Sequence, residues 1–181
     1  MHSAETRTPL ADRLAEAVRG NRDELVGLSM AIHANPEPGF EERAASKLVA
    51  DTLIRHGFEL ERPGSVETAI RARLRGGAGS GPTIAILAEY DALRGLGHGC
   101  GHNLIAAAGV GAAMALASAT SELPGEIVFL GTPAEEDLEG KQRMLDDGLF
   151  EGMDAAMMIH ASNGTQVELE QIGRASCRER V

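Results

Sequence analysis

The sequence predicts an α/β domain: a three-layer sandwich with a central mixed, mostly parallel sheet and helices on both faces. Three observations carry this. Segments with strand and helix periodicity alternate along the chain. One strand, Thr83 to Leu87, is nearly all apolar, as a strand covered on both faces should be. Hydrophobic residues make up 43% of the 181, which supports a buried core and argues against wholesale disorder.

The first helix is expected from Leu10 to His33. Leu10, Leu14 and Val18 recur at four-residue spacing, and Leu25, Leu28 and Ile32 resume the pattern after Gly20-Asn21. Pro36 and Pro38 end it, because proline lacks the amide donor and restricts its predecessor. A second helix opens at Phe40-Glu41-Glu42. It carries Ala45, Leu48, Val49, Thr52 and Leu53 on its apolar stripe and closes at Gly57. Val66 to Leu74 alternates, with Val66, Thr68, Ile70, Ala72 and Leu74 on one face, and reads as a strand. The run RGGAGSGPT turns the chain into the central strand. A Gly-rich loop, Gly95 to Gly101, then leads to an Ala-rich helix from Leu104 to Ala119. Glu126 to Leu130 is a third strand, Lys141 to Gly148 a short helix and Ala155 to Ile159 a fourth strand. In such a sheet, active residues collect in loops at the carboxyl ends of strands, here after Leu87, Leu130 and Ile159.

Charge and composition exclude several classes. Seventeen Lys and Arg against 27 Asp and Glu give −10, with four Phe, one Tyr and no Trp. Neither a basic footprint nor stacking platforms for nucleic acid exist. The N-terminus carries acids where a secretory signal is apolar, so a cytoplasmic protein is expected. The longest apolar run, Leu104 to Ala119, is short for a membrane span, and its Ala and Gly content fits a closely packed helix. Cys100 and Cys177 form no disulfide framework. The final RASCRERV, residues 174–181, holds three arginines and one acid and has no apolar period. It reads either as an exposed tail or as sequence foreign to the gene.

Three constellations could carry chemistry, one at each strand end. GLGHGCGHN places His98, Cys100 and His102 at alternate positions between glycines, where several side chains can converge; thiolate and imidazole suit zinc and related metals. The same Gly95–Gly101 loop loosely imitates a dinucleotide fingerprint, although residues Glu89 to Arg94 separate it from the strand. In GTPAEED, Glu135 and Glu136 follow the third strand. One carboxylate can bind a metal while its neighbour takes a proton from water. Alone, such a pair is usually a solvated surface feature. His160 follows the fourth strand, where a lone His is commonly a satisfied core residue. Three weak signals at neighbouring strand ends are jointly stronger than any one. Asp91 either orients a ligand imidazole from behind or caps a turn. Neither a G-x-S-x-G elbow nor a Walker loop is present.

The stretches AIHANPEPGFEE, AILAEYDALRGLGHGCGHN, GTPAEE and MMIHAS, in this order over Leu25 to Ser162, resemble the metal-dependent amidohydrolases of the aminoacylase and carboxypeptidase G superfamily. The nearest branch holds the indole-acetyl-amino-acid hydrolases and aminobenzoyl-glutamate hydrolase. EYDAL with GHGCGHN is similar to the aminobenzoyl-glutamate hydrolase and β-alanyl-dipeptidase-like group. The resemblance implies that Cys100, His102, Glu136 and His160 are metal ligands and Glu135 the general base. It implies two divalent ions, Zn or Mn, and hydrolysis of an amide in N-acyl amino acids or small dipeptides. Arg94 stands where the group has Pro, and Asp137-Leu138-Glu139 replaces a more Gly-rich stretch. Family members continue into an inserted lid domain that often dimerises, then return to supply a last His ligand. Residues 1–173 are accordingly expected to be the first part of the catalytic domain, inactive alone, in a parent that pairs through the lid. The two alternatives are a nucleotide-binding α/β domain and a non-catalytic metal-binding fragment.

Overall fold

The computed structural model describes residues 9–61, 64–137 and 139–161. The expectation for the 174–181 tail lies outside them. The helix expected from Leu10 to His33 is two helices, α1 (Pro9–Gly20) and α2 (Arg22–Ala34). The break falls at Asn21, whose backbone leaves the helical region with a φ of −97° and a ψ of 12°; its side-chain amide donates to the Ala17 carbonyl at 2.8 Å alongside its own backbone amide at 3.1 Å. The next helix, α3 (Arg43–Arg55), starts later than Phe40 because a more distant acid caps it: Glu37 accepts from the amides of Ala44 and Ala45 at 3.0 and 2.9 Å.

A two-residue strand, β1 (Glu59–Leu60), precedes β2 (Ile70–Arg75). The strand expected from Val66 begins instead at Ile70. Val66 and Thr68 are buried as their alternation requires, but the Ala69 amide bonds the Val66 carbonyl in a turn. The central strand β3 (Thr83–Ala88) is followed by α4 (His102–Ser118), β4 (Glu126–Gly131), α5 (Gly140–Asp146) and β5 (Ala155–Met157). No helix among the described residues is long and apolar enough to cross a membrane.

The sheet order is β1-β2-β4-β3-β5. β3 runs parallel to both β4 and β5, and β2 runs against β4 and β1, so β2 alone opposes the common direction. The period of two is visible along β4. Ile127 and Phe129 join a core under α2, α3 and α4, while Val128 and Leu130 join a second core under α5 with Met144 and Leu149. Each fully buried side chain of this size contributes about 1.5–3 kcal/mol. Ala88 of β3 pairs with Gly131 of β4, and Ile86 with Met157 of β5, so three parallel strands release their following loops on one side.

Candidate metal centre

The site is built on the ends of those three strands. After Ala88 the chain continues Glu89-Tyr90-Asp91. Tyr90 is fully buried, and its hydroxyl donates to the Thr68 carbonyl. Gly131 on the neighbouring strand makes room for it, since a Cβ there would come within 2.9 Å of the Tyr90 ring and hydroxyl. Glu89 and Asp91, two residues apart, both meet His102, the first residue of α4. Gly101 sets up that helix start with a φ of 80°, a region glycine enters without the Cβ clash.

His102 Nδ1 lies 3.0 Å from both the carboxylate and the carbonyl oxygen of Asp91, so this nitrogen donates and Nε2 is turned towards the cluster. Nε2 faces Glu89 Oε2 at 3.5 Å, Glu135 Oε2 at 3.8 Å and Glu136 Oε1 at 3.8 Å. His160, after β5, sets its Nε2 3.7 Å from Glu89 Oε2 and its ring edge-on to His102 at 5.8 Å. Two groups of ligand atoms result, Glu89–His102–His160 and His102–Glu135–Glu136, each with all atoms within 4.8 Å of one another.

Three atoms at this point, Glu89 Oε2, His102 Nε2 and Glu136 Oε1, are buried and have no hydrogen-bond partner. Native interiors rarely leave such atoms unpaired. Carboxylate and imidazole form the donor set of zinc and manganese sites, and the residues fit a divalent cation. The electrostatics agree. Burial lowers the His102 pKa, but Asp91, Glu89 and Glu136 outweigh it and carry the ring up to about 9. The acids make this a place where positive charge is favoured.

The Glu135 loop is held from both sides. The Ala134 amide donates to the fully buried Glu42 at 2.7 Å, and the Glu136 amide donates to Asp91 Oδ2 at 3.0 Å. Ala134 sits at a φ of 53°, a left-handed conformation that costs a non-glycine residue about 1–2 kcal/mol. Strain of this kind is characteristic of functional sites.

Of the residues expected from sequence, His102, Glu135, Glu136 and His160 come together, and Asp91 takes the orienting position behind His102. Cys100, half-buried, belongs to neither ligand group. His98 is also outside them and stacks on His33 with ring centroids 6.1 Å apart. Glu89 was not singled out from sequence. Its available signal was an acid placed directly at the end of a nearly all-apolar central strand. The Gly95–Gly101 loop does not present its amides as a phosphate cradle, since those of Gly97, Gly99 and Gly101 donate to Leu93, Gly97 and His98 carbonyls.

Fold and cluster together define a class: an α/β domain with acids and imidazoles gathered at its strand ends, in an arrangement that fits a divalent cation. The chain belongs to peptidase family M20/M25/M40, whose family model matches residues 85–176. It is 38% identical over 180 residues to the Xaa-Arg dipeptidase of Mus musculus, covering 90% of this chain and 41% of that protein. It is 32% identical over 151 residues to the N-acetyl-L-cysteine deacetylase of Bacillus subtilis (strain 168), covering 76% of this chain and 36% of that one. Among solved structures it is similar to the Bacillus subtilis YXEP protein, described as a dinuclear metal binding peptidase. The TM-score is 0.72 at 29% identity, over 76% of this chain and 42% of that one. The chain thus spans about four-tenths of the length of such relatives.

Proposed function

We propose that this chain carries the metal-binding half of an amidohydrolase that cleaves N-acyl amino acids or small dipeptides with two divalent ions, Zn or Mn. The observation that carries the reading is the convergence of Glu89 Oε2, His102 Nε2 and Glu136 Oε1, all buried and unpartnered, at the ends of three strands. His102, Glu136 and His160 are the ligands; Cys100 joins them on the strength of the C-G-H motif. Held there, divalent ions would supply polarisation of a scissile carbonyl and a water pKa brought towards neutrality.

The chain's own residues do the rest. Asp91 fixes the His102 ring so that Nε2 points into the cluster. Glu135, held between two pinned amides, takes a proton from the attacking water and returns it to the leaving amine. The molecule acts in the cytoplasm. Residues 1–173 form the first part of the catalytic domain, and further sequence supplies a last ligand and a lid through which two copies pair.

The test separates the two glutamates. In the full chain, Glu135→Gln should keep its metal by elemental analysis and lose about 10²–10⁴ in turnover of N-acyl amino acids. Glu136→Gln should lose metal. Near-normal turnover by Glu135→Gln would remove its role, and full metal occupancy in Glu136→Gln would remove the ligand assignment.

A further inference from the structure

We infer that Glu89 is an additional ligand of the metal centre and that Lys141 is its positioning residue, holding one carboxylate oxygen so that the other is presented to the cation; this rests on the metal reading above. Glu89 is 1% exposed and stands at the end of the central strand. Its two oxygens have different fates. Oε1 pairs with Lys141 Nζ, from the first turn of α5. Oε2 is buried with no partner and faces His102 Nε2 at 3.5 Å and His160 Nε2 at 3.7 Å. A carboxylate so divided offers a single oxygen to an ion.

The choice of lysine follows from the same division. An ammonium is a compact point charge that satisfies one oxygen, whereas a guanidinium fork engages both. Lys141 also answers a charge problem. Glu89, Asp91, Glu135 and Glu136 crowd around one imidazole, and the Lys141 ammonium pairs with a member of that group from the α5 side of the sheet. The lysine reaches the site from an element that contributes no ligand. Its approach is fixed because α5 is tied to the glutamate loop, the Gly140 amide donating to the Ala134 carbonyl at 3.3 Å.

The experiment is calorimetric titration of the metal-stripped full chain with Mn²⁺, with a thermal melt of each apo-protein alongside. Glu89→Gln should lose one ion or bind it at least tenfold more weakly. Lys141→Met should lower affinity at one site about 10–100-fold, the usual size of an effect transmitted through a ligand's partner. Lys141→Arg, which keeps the charge and should melt as wild type, should weaken the same site because its fork occupies Oε2. Wild-type Mn²⁺ affinity and stoichiometry in Glu89→Gln and Lys141→Arg would overturn the inference. Glu136→Gln distinguishes the two levels. If it loses Mn²⁺ while Glu89 and Lys141 variants do not, only this inference fails. If the unmodified chain binds no Mn²⁺, both readings fall.

Discussion

Two buried carboxylates grip the amides on either side of Glu135, and one of them has no other task in the site. Glu42 accepts from Ala134 and from the Thr68 hydroxyl, at 2.7 and 2.9 Å, and is fully buried. Burial raises its pKa above 4.5 in spite of these bonds. The folded state therefore holds this proton to higher pH than the unfolded chain does. The corresponding stability is fully present below 4.5 and is lost as pH rises through the folded value. Glu42→Gln keeps the shape and an acceptor for Ala134 and removes the titration. Its melting temperature relative to wild type should rise from acid towards neutral pH; a difference constant with pH would contradict the argument. Glu42→Ala instead leaves a buried amide unpaired, which costs about 1–3 kcal/mol. Residues of this kind mark the limit of what the sequence shows. His102, Glu135, Glu136 and His160 were legible because each stands in a motif at a strand end. Glu89 and Lys141 were not, since a single acid after a strand reads as a turn residue and its lysine lies 52 positions away.

At the scale of elements, α4 is pressed between the sheet and the helices outside it, and its small residues make this possible. A Cβ on Gly109 would lie 2.8 Å from the Ala88 Cβ on β3. Gly109→Ala should therefore destabilise by about 1–3 kcal/mol through overpacking, read as a shift in urea midpoint. Gly27, exposed on α2, meets nothing within 4 Å, and Gly27→Ala should stabilise by about 0.5–1 kcal/mol. The same substitution with opposite signs separates packing from helix propensity. The Ala/Gly run of α4 announced close packing in the sequence, and the nearly all-apolar run of β3 announced a strand covered on both faces. The interruption of α1 and α2 was less legible. Apolar spacing continues across Asn21, and the break is a local departure of that one residue's backbone, which periodicity does not encode. The start of α3 depends likewise on Glu37, which lies outside the helix it caps.

Across the whole molecule, the two sheet edges differ. The β1 edge is two residues long and is flanked by the ion pairs of Glu61 with Arg71 and Arg73. Among the described residues β5 pairs only with β3, and Met157 and Ile159 beside it are 60% and 70% exposed. An apolar strand edge of this kind templates association, and charge on it opposes pairing. Met157→Lys with Ile159→Lys should lower the light scattering of the 181-residue chain at a given concentration. Unchanged scattering would place the association surface elsewhere.

The position of β3 between β4 and β5 has a consequence for how the molecule acquires its chemistry. The loops that meet at His102 are joined only through pairings on both sides of that strand, and the residues they carry run from Glu42 to His160. No hairpin or single βα unit contains the cluster, so no early, local folding event can create it. Loop-closure entropy must be overcome twice before the acids and imidazoles become neighbours. Competence for binding is thus a late property of folding. An ion added to a refolding chain would report the completion of global order and would do little to nucleate it.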